Sequence, residues 1–266
     1  MDVHTAAKAG DVASLKLVSQ FLPDRLKEAD NKSGNTPLHT AAASGQKDAV
    51  NSLLGAKAAI NQANLLGEGA LCLATKKNQE DTVNVLLIAR AAVNQADNHG
   101  STSLFLAARY GQDGTVTLLL EAKAATNQAD NDENTPLMKA AANGQGGAVR
   151  ILLDAKAAVD QTTANGETPL FMAAYRDDTC VVGLLLKAKA AVNLAETDCG
   201  QSPLHWAARY DQQGAASLLL AAEADVNQTD NAGETPLRVA GSEEMRQLLM
   251  DAGAISLAEM RRAVTF

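Results

Sequence analysis

The sequence predicts an all-α protein, a solenoid of stacked helix-turn-helix units joined by β-turn or hairpin loops. Three repeated patterns predict this fold. The tetrapeptide Thr-Pro-Leu-His at residues 36–39 returns with variation every 33 residues, an alanine pair follows it at residues 41–42, and a Leu-Leu pair follows at residues 53–54. A fixed period of this length is typical of proteins in which each unit buries its apolar side against the next.

The spacing of the tetrapeptide predicts the order of the repeats. Its later copies begin at residues 69, 102, 135 and 168 and, after one inserted residue, at residues 202 and 235. We therefore expect internal repeats over residues 30–62, 63–95, 96–128, 129–161, 162–195 and 196–228. Residues 229–255 are predicted to form a shortened repeat, because fewer residues separate its tetrapeptide from its Leu-Leu pair than in the other repeats. The whole chain, residues 1–266, is predicted to form a single domain.

The two ends of the array are expected to diverge, because each must present one face to water. Residues 1–29 predict an N-terminal capping repeat that begins inside its first helix, with Asp2 as the helix cap. The connection to the next repeat is longer than elsewhere and contains Pro23. Residues 256–266 predict a capping helix over the last apolar layer. Docking of this segment on another molecule is the alternative.

Each position within a repeat has a physical role. A threonine before proline caps the first helix, and the proline fits the first turn, where no amide donor is required; these threonines are Thr36, Thr135, Thr168 and Thr235. The paired alanines let two helices approach closely, and the Leu-Leu pair on the second helix fills the space between units. Each unit is therefore predicted to be two antiparallel helices with a protruding turn.

This pattern resembles the ankyrin repeat over nearly the whole chain. The resemblance implies a module that recognises other proteins through its turn tips and the concave, exposed side of its first helices. It also implies that the histidine of the tetrapeptide braces the turn by hydrogen bonding. His4, His39 and His205 are accordingly expected to be structural.

One position departs from the family pattern, which has glycine after the second helix. Here that position holds Lys57, Arg90, Lys123, Lys156, Lys189, Glu223 and finally Gly253. We expect a left-handed backbone at these residues, at a cost on the order of 1 kcal/mol for each lysine. We favour the interpretation that these cations form a solvated row, inherited by duplication of one repeat. The alternative is that they form an edge that binds an acidic partner or a membrane surface.

Composition limits the function. The net charge of −8 argues against a general nucleic-acid-binding surface. The sequence contains no apolar run long enough to cross a bilayer and no signal-peptide pattern. Three cysteines without metal-ligand spacing indicate a reducing, intracellular compartment, the cytoplasm or alternatively the nucleus.

The sequence predicts no catalytic residue, no metal site and no cofactor, so the protein is predicted not to be an enzyme. His99 is expected at a turn tip without a neighbouring cysteine or histidine. The glycine-rich residues 144–147 fall between two helices with no preceding strand. They are interpreted as a turn and not as a phosphate-binding loop.

The predicted partner-binding residues stand at the exposed end of the first helices, directly after the small-residue pair. Arginine and tyrosine occur together there in three repeats, and both types are enriched at the energetic centres of interfaces. The predicted residues are Lys76, Lys77, Arg109, Tyr110, Asn143, Tyr175, Arg176, Trp206, Arg209 and Tyr210. Two alternatives stay open: each arginine stacks on its own tyrosine, and Trp206 packs between helices of adjacent repeats.

The turn tips are predicted to be acidic, as at Glu68, Asp97 and Asp230, while the first helices are basic. This arrangement would favour a partner that carries both signs of charge. Part of the acidity is generic, because aspartate is also favoured in turns.

The sequence thus predicts a non-catalytic protein–protein interaction module, an adaptor, scaffold or inhibitor of a folded partner. The alternative is a peripheral subunit permanently bound in a large assembly. Size-exclusion chromatography of a native extract separates the two, because an adaptor runs partly free and a subunit does not.

Overall fold

The computed structural model describes residues 2–30 and 32–255, which form sixteen α-helices and no β-strand. The helices are arranged in consecutive antiparallel pairs, as the repeat pattern predicts. The loops between pairs are turns, and one of them contains an isolated antiparallel bridge between Ala96 and Thr102. The chain forms two compact units, Met1–Asn131 and Asp132–Phe266.

The unit Met1–Asn131 contains four helix pairs. They are α1 (Val3–Ala9) with α2 (Val12–Phe21), α3 (Pro37–Ala43) with α4 (Lys47–Gly55), α5 (Ala70–Lys76) with α6 (Glu80–Ile88), and α7 (Ser103–Tyr110) with α8 (Asp113–Glu121). The first helices α1, α3, α5 and α7 pack in one layer, and the second helices in another. A short 3₁₀ helix, Pro23–Lys27, occupies the long connection and buries Leu26.

The unit Asp132–Phe266 has the same two-layer arrangement. Its pairs are α9 (Pro136–Ala142) with α10 (Gly146–Asp154), α11 (Pro169–Tyr175) with α12 (Thr179–Lys187), α13 (Pro203–Arg209) with α14 (Gln213–Ala221), and α15 (Pro236–Val239) with α16 (Glu243–Asp251). Helix α15 has four residues where its counterparts have seven. The capping helix predicted for residues 256–266 lies outside the described residues.

Threonine caps begin most of the first helices. The hydroxyls of Thr102, Thr135 and Thr168 accept a hydrogen bond from the amide three residues later at 3.1–3.2 Å, and Thr36 does so at 3.4 Å. The prediction is therefore confirmed for the threonines before Pro37, Pro136 and Pro169. It is wrong for Thr235, whose side chain makes no capping bond on the shortened α15. Asp2 occupies the N-cap position of α1, but its side chain also makes no capping bond.

Two buried histidines each tie their own turn to the next one, as expected. The Nδ1 atom of His39 accepts the Thr36 amide at 3.0 Å, and its Nε2 bonds the Glu68 carbonyl at 3.1 Å. His205 repeats both bonds, to Ser202 at 3.2 Å and to the Glu234 carbonyl at 3.0 Å. Since Nδ1 accepts, Nε2 must carry the proton and donate it.

We expect the protein to lose stability as the pH falls below about 6.5, because burial lowers the pKa of both His39 and His205. A histidine whose pKa is depressed by folding binds its proton more tightly in the unfolded chain. Its contribution is therefore complete above the unfolded pKa and declines towards acid. Thermal unfolding of the His39→Gln/His205→Gln variant should show a smaller decline between pH 7 and pH 5. The exposed His99→Gln control should decline like the wild type, and equal slopes for all three proteins would contradict the assignment.

The two leucines of a Leu-Leu pair are not equivalent. In the pairs from Leu53-Leu54 to Leu219-Leu220 the first leucine is at most 1% exposed and the second is half-buried, whereas in the shortened repeat Leu249 is buried and Leu248 is half-buried. Successive residues of a helix point about 100° apart, so one leucine faces the helix layer beside it and the other faces partly outwards. This leaves apolar surface on the outer side of the second helices.

The position after each second helix has the left-handed backbone that the sequence predicts. The φ angles lie between 61° and 66° at Lys57, Arg90, Lys123, Lys156, Lys189 and Glu223. All six side chains are exposed. The prediction is confirmed for the backbone at this position.

Candidate functional site

Nine of the ten predicted partner-binding residues lie at or just after the carboxyl ends of α5, α7, α9, α11 and α13, and Trp206 lies in the middle of α13. Nine of the ten are exposed, and Trp206 is half-buried. Lys76, Lys77, Arg109 and Tyr110 belong to the unit Met1–Asn131. The other six belong to Asp132–Phe266, and it is there that the structure brings several of them into contact.

Four aromatic rings meet in the unit Asp132–Phe266. Trp206 stacks on Tyr210 with 5.2 Å between ring centroids, and it receives Phe171 and Tyr175 edge-on at 5.0 and 5.4 Å. Tyr175 also meets Tyr210 edge-on at 5.1 Å. We call these four residues the aromatic cluster. Edge-on and offset arrangements are the favourable ones for such rings.

Helical spacing assembles the aromatic cluster. Phe171 and Tyr175 are four residues apart in α11, and Trp206 and Tyr210 are four apart at α13, so each pair occupies one face of its helix. Helices α11 and α13 pack directly against each other. The cluster is thus the meeting of two aromatic faces from consecutive repeats.

The aromatic cluster borders an open groove of about 440 Å³. The groove is lined by Ala142, Glu167, Phe171, Met172, Tyr175, Arg176, Trp206 and Tyr210. Its apolar floor carries one acidic and one basic side chain, Glu167 and Arg176. Neither forms an ion pair with any residue in the described part of the chain, although the Glu167 carboxylate accepts a hydrogen bond from the Thr163 hydroxyl at 3.3 Å.

Trp206 packs against the adjacent repeat, as one of the interpretations of its position expected. It packs between α11 and α13, and it also lines the groove. Its Nε1 donor is buried and has no hydrogen-bond partner among the residues that the structure describes. Only part of the Trp206 ring is exposed, so the ring forms part of the groove wall and projects little into the solvent.

Two predicted residues of this unit lie outside the groove. Asn143 is the C-cap residue of α9, and its side chain donates to the Lys139 carbonyl at 2.8 Å. Arg209 is exposed but does not line the groove. The sequence analysis did not identify Phe171 and Met172, and it assigned Glu167 only to the acidic turn tips. Phe171 stands one helical turn before Tyr175, a spacing that could have indicated a shared face.

The corresponding surface of the unit Met1–Asn131 is less available. The guanidinium of Arg109 lies 5.6 Å from the ring centre of Tyr110, so here the arginine does stack on its own tyrosine. Arg176 and Arg209 make no such contact with their tyrosines among the described residues. Lys77 is exposed at the end of α5.

Lys76 is engaged within the protein. Its ammonium bonds the Glu68 carboxylate at 2.8 Å, and Asn64 donates to the same carboxylate at 3.0 Å. Burial alone would raise the pKa of Glu68, but these hydrogen bonds hold the pKa below its ordinary value. Glu68 is 4% exposed. The expectation that it is an accessible acidic turn tip is therefore wrong, and Lys76 is not a free cation.

Other predicted tip acids also serve the turns. Asp97 accepts the amides of His99 and Ser101 at 2.9 Å, and Asp230 accepts those of Ala232 and Glu234 at 2.9 Å. Asp230 is buried. Turn formation thus explains part of the acidity that the sequence assigns to a binding surface.

The described residues contain no cluster of three or more histidine, cysteine, aspartate or glutamate side chains suited to hold a metal ion. Cys72 is buried, which raises the pKa of its thiol to about 12. Cys180 lies in α12 and Cys199 in a turn, both exposed and unpaired. In residues 2–30 and 32–255, no helix has the length and apolar character that spanning a bilayer requires.

Comparison with known proteins agrees with this architecture. A family model described as ankyrin repeats (3 copies) matches residues 3–64, 51–130, 71–163, 104–196 and 170–258. The crystal structure of the human ASB11 ankyrin repeat domain is similar with a TM-score of 0.75 and 26% identity, covering 84% of this chain and 100% of that one. The crystal structure of the ankyrin repeat domain of Bcl-3, a member of the IkappaB protein family, has a TM-score of 0.74 and 27% identity, covering 82% and 100%.

No curated protein sequence matches the chain significantly. The family model nevertheless covers nearly all of the repeats, and both solved structures share the paired-helix architecture over more than four fifths of the chain. The chain belongs to the ankyrin-repeat family.

Proposed function

We propose that the protein is a non-catalytic binding module, an adaptor, scaffold or inhibitor, that grips a folded partner protein through the groove beside the aromatic cluster. The observation that supports this most is that four rings and two unpaired opposite charges line one open groove of about 440 Å³. Ankyrin repeats are in general protein-interaction modules. We further propose that the predicted concave face of the first helices and the turn tips contribute the rest of the contact.

The aromatic cluster has the properties of an interface centre. Tyr175 and Tyr210 are each 46% exposed although they are held by ring contacts. Their geometry is therefore fixed before binding, so the two tyrosine side chains lose little conformational entropy when a partner binds. An apolar side chain of the partner would enter the groove. A basic and an acidic neighbour would then meet Glu167 and Arg176, which fixes the orientation of the bound segment.

A second candidate function is that of a subunit held permanently in a large assembly. It is favoured by apolar side chains of the first repeat that are unusually exposed: Leu17 at 58%, Phe21 at 68% and Leu22 at 54%. Adjacent exposed apolar residues often mark a surface that is covered by another protein. The unpaired cysteines support a reducing compartment for either role. The elution position in size-exclusion chromatography of a native extract separates the two.

Replacing Tyr175 and Tyr210 with serine should weaken partner binding by at least about 30-fold, since centrally placed tyrosines contribute on the order of 2 kcal/mol or more. Proteins captured from an extract by the wild type and lost by Tyr175→Ser/Tyr210→Ser are the candidates, and the affinity of each is then measured with purified components by calorimetry.

Tyr110→Ser provides a matched comparison outside the groove, because Tyr110 has the same 46% exposure but lies in the other unit and stacks with Arg109; it should weaken binding less than the double variant. Trp206 is the single tryptophan and therefore reports on the groove directly. A partner without tryptophan should change its fluorescence emission. Unchanged capture and affinity in the double variant, with retained helicity, would count against the groove as the binding site.

A further inference from the structure

We propose that the unit Asp132–Phe266 has a second binding site, a basic groove that takes an acidic, Asp- and Glu-rich segment of a partner polypeptide. This groove of about 460 Å³ lies along the second helices α10 and α12. With the groove beside the aromatic cluster, which we call the aromatic groove, it shares no lining residue. Three cations line it: Arg150, Lys156 and Lys187. We call it the basic groove.

The cations of the basic groove converge from different elements. Arg150 stands within α10, Lys156 follows the end of that helix, and Lys187 is the last residue of α12. Helices α10 and α12 pack together, which brings the three side chains to one groove. All three are exposed, and none forms an ion pair with any described residue.

The charge of the basic groove is opposite to that of the protein. One carboxylate, that of Asp154, lines it beside the three cations, so its local excess is positive in a chain whose net charge is −8. Cations at helix carboxyl ends are favoured by the helix dipole, which accounts for the position of Lys187. Arg150 lies in the middle of α10, where that explanation does not apply.

The backbone at Lys156 offers a way to test the basic groove. Its φ angle is 64°, a conformation that glycine adopts freely and that strains a lysine. The equivalent residues of the other repeats share this conformation, because the second helix ends there. Glu223 has a φ angle of 63° at the equivalent position of a later repeat, so the strain does not depend on the charge. That pair of residues allows charge and strain to be tested separately.

The shape of the basic groove favours a peptide over other anions. Leu153, Val159 and Leu184 supply apolar surface between the cations. An extended segment can place aliphatic stems on this floor and carboxylates at its rim. A membrane surface is flat and cannot enter a groove, and the net negative charge of the chain opposes a long phosphate backbone.

The test measures binding of a fluorescently labelled oligoglutamate peptide to the purified full chain by anisotropy. We expect the Arg150→Gln/Lys156→Gly/Lys187→Gln variant to bind about tenfold more weakly, since three modest ion pairs are lost together. Binding to the wild type should weaken steeply between about 50 and 300 mM salt, because salt screens the attraction between exposed charges more strongly as the ionic strength rises.

Lys156→Gly separates function from folding. Because it relieves the left-handed lysine, it should raise the melting temperature followed by Trp206 fluorescence by about 2–4 °C while weakening peptide binding about two- to fivefold. The matched control Glu223→Gly should raise the melting temperature equally without weakening binding. A higher melting temperature together with lost binding cannot result from misfolding.

Three results would overturn the proposal. The triple variant could bind the peptide as tightly as the wild type. Phosphatidylserine vesicles could bind where the peptide does not, which would assign the groove to a lipid surface. The peptide could also change Trp206 emission and fail to bind Tyr175→Ser/Tyr210→Ser, which would place it in the aromatic groove. Because the two grooves share no residue, failure here leaves the proposed function of the aromatic groove intact.

Discussion

Replacing Phe105 with alanine is expected to destabilise the unit Met1–Asn131 by about 3–5 kcal/mol. Phe105 is 2% exposed and packs with Cys72 and Leu106 in a buried cluster. Truncating a buried phenylalanine removes its transfer free energy and leaves a cavity that the helices on either side fill only partly. The loss is a large part of the total stability of a typical domain, roughly 5–15 kcal/mol.

The same substitution at Phe21 is a matched control, because Phe21 is 68% exposed in the same unit. Truncation there should change stability by less than about 0.5 kcal/mol. Urea unfolding followed by circular dichroism measures both variants, and hydrogen exchange of α5 and α7 locates the effect. Equal losses for the two variants would mean that burial in the repeat interface does not govern stability at Phe105.

The second large effect is expected from Lys76→Met, which should cost roughly 2 kcal/mol at neutral pH. This change leaves the Glu68 carboxylate buried without its cation, with Asn64 as the remaining side-chain donor that the structure gives it. The change Glu68→Gln should cost less. It leaves Lys76 with a side chain that is 43% exposed and can be hydrated.

The pH dependence distinguishes this ion pair from simple loss of packing. In the wild type the pKa of Glu68 is depressed, so the pair stabilises the fold above the unfolded value of about 4.3 and is lost as the pH falls through the folded value. In Lys76→Met the buried, unpaired Glu68 carboxylate lowers the free energy of unfolding at neutral pH, and protonation of the carboxylate removes this effect. The difference in the free energy of unfolding between the two proteins should therefore shrink below about pH 4.3. A difference that is constant from pH 7 to pH 3.5 would contradict this account.

The repeating features could be predicted because they depend on local chemistry. Thr36 begins its helix by accepting a hydrogen bond from one of the first amides, and Pro37 has no amide hydrogen that needs a partner. The position of Lys57 is left-handed because a helix must end there. His39 was assigned from its place in the tetrapeptide, and its two bonds are found. Such features recur once per repeat, so the pattern itself identifies them.

The features peculiar to one repeat could not be predicted. Nothing in the pattern indicates that Glu68 is buried against Lys76 or that the chain before α3 forms a 3₁₀ helix at Pro23–Lys27. The missing cap at Thr235 follows from the brevity of α15. Each of these features depends on neighbouring residues that differ between repeats. Each also depends on whether a single hydrogen bond offsets the free-energy cost of burying a polar group.

The candidate site illustrates the same division. The sequence placed Tyr175, Arg176 and Tyr210 at the exposed ends of the first helices, and they lie there. It did not indicate that Tyr175 and Tyr210 meet through Trp206 while Tyr110 stacks on Arg109. Nor did it indicate that Glu167 shares a groove with Arg176.

By itself the sequence determined the helix pairs, their order and the family, because a 33-residue period encodes local helix signals and one burial pattern repeated along the chain. The tertiary structure decided which side chains meet: the rings of the aromatic cluster and the cations of the basic groove across consecutive repeats, and Glu68 with Lys76 within one repeat. The physical reason is that the packing of one helix or turn against another, and not local propensity, sets the geometry of these contacts.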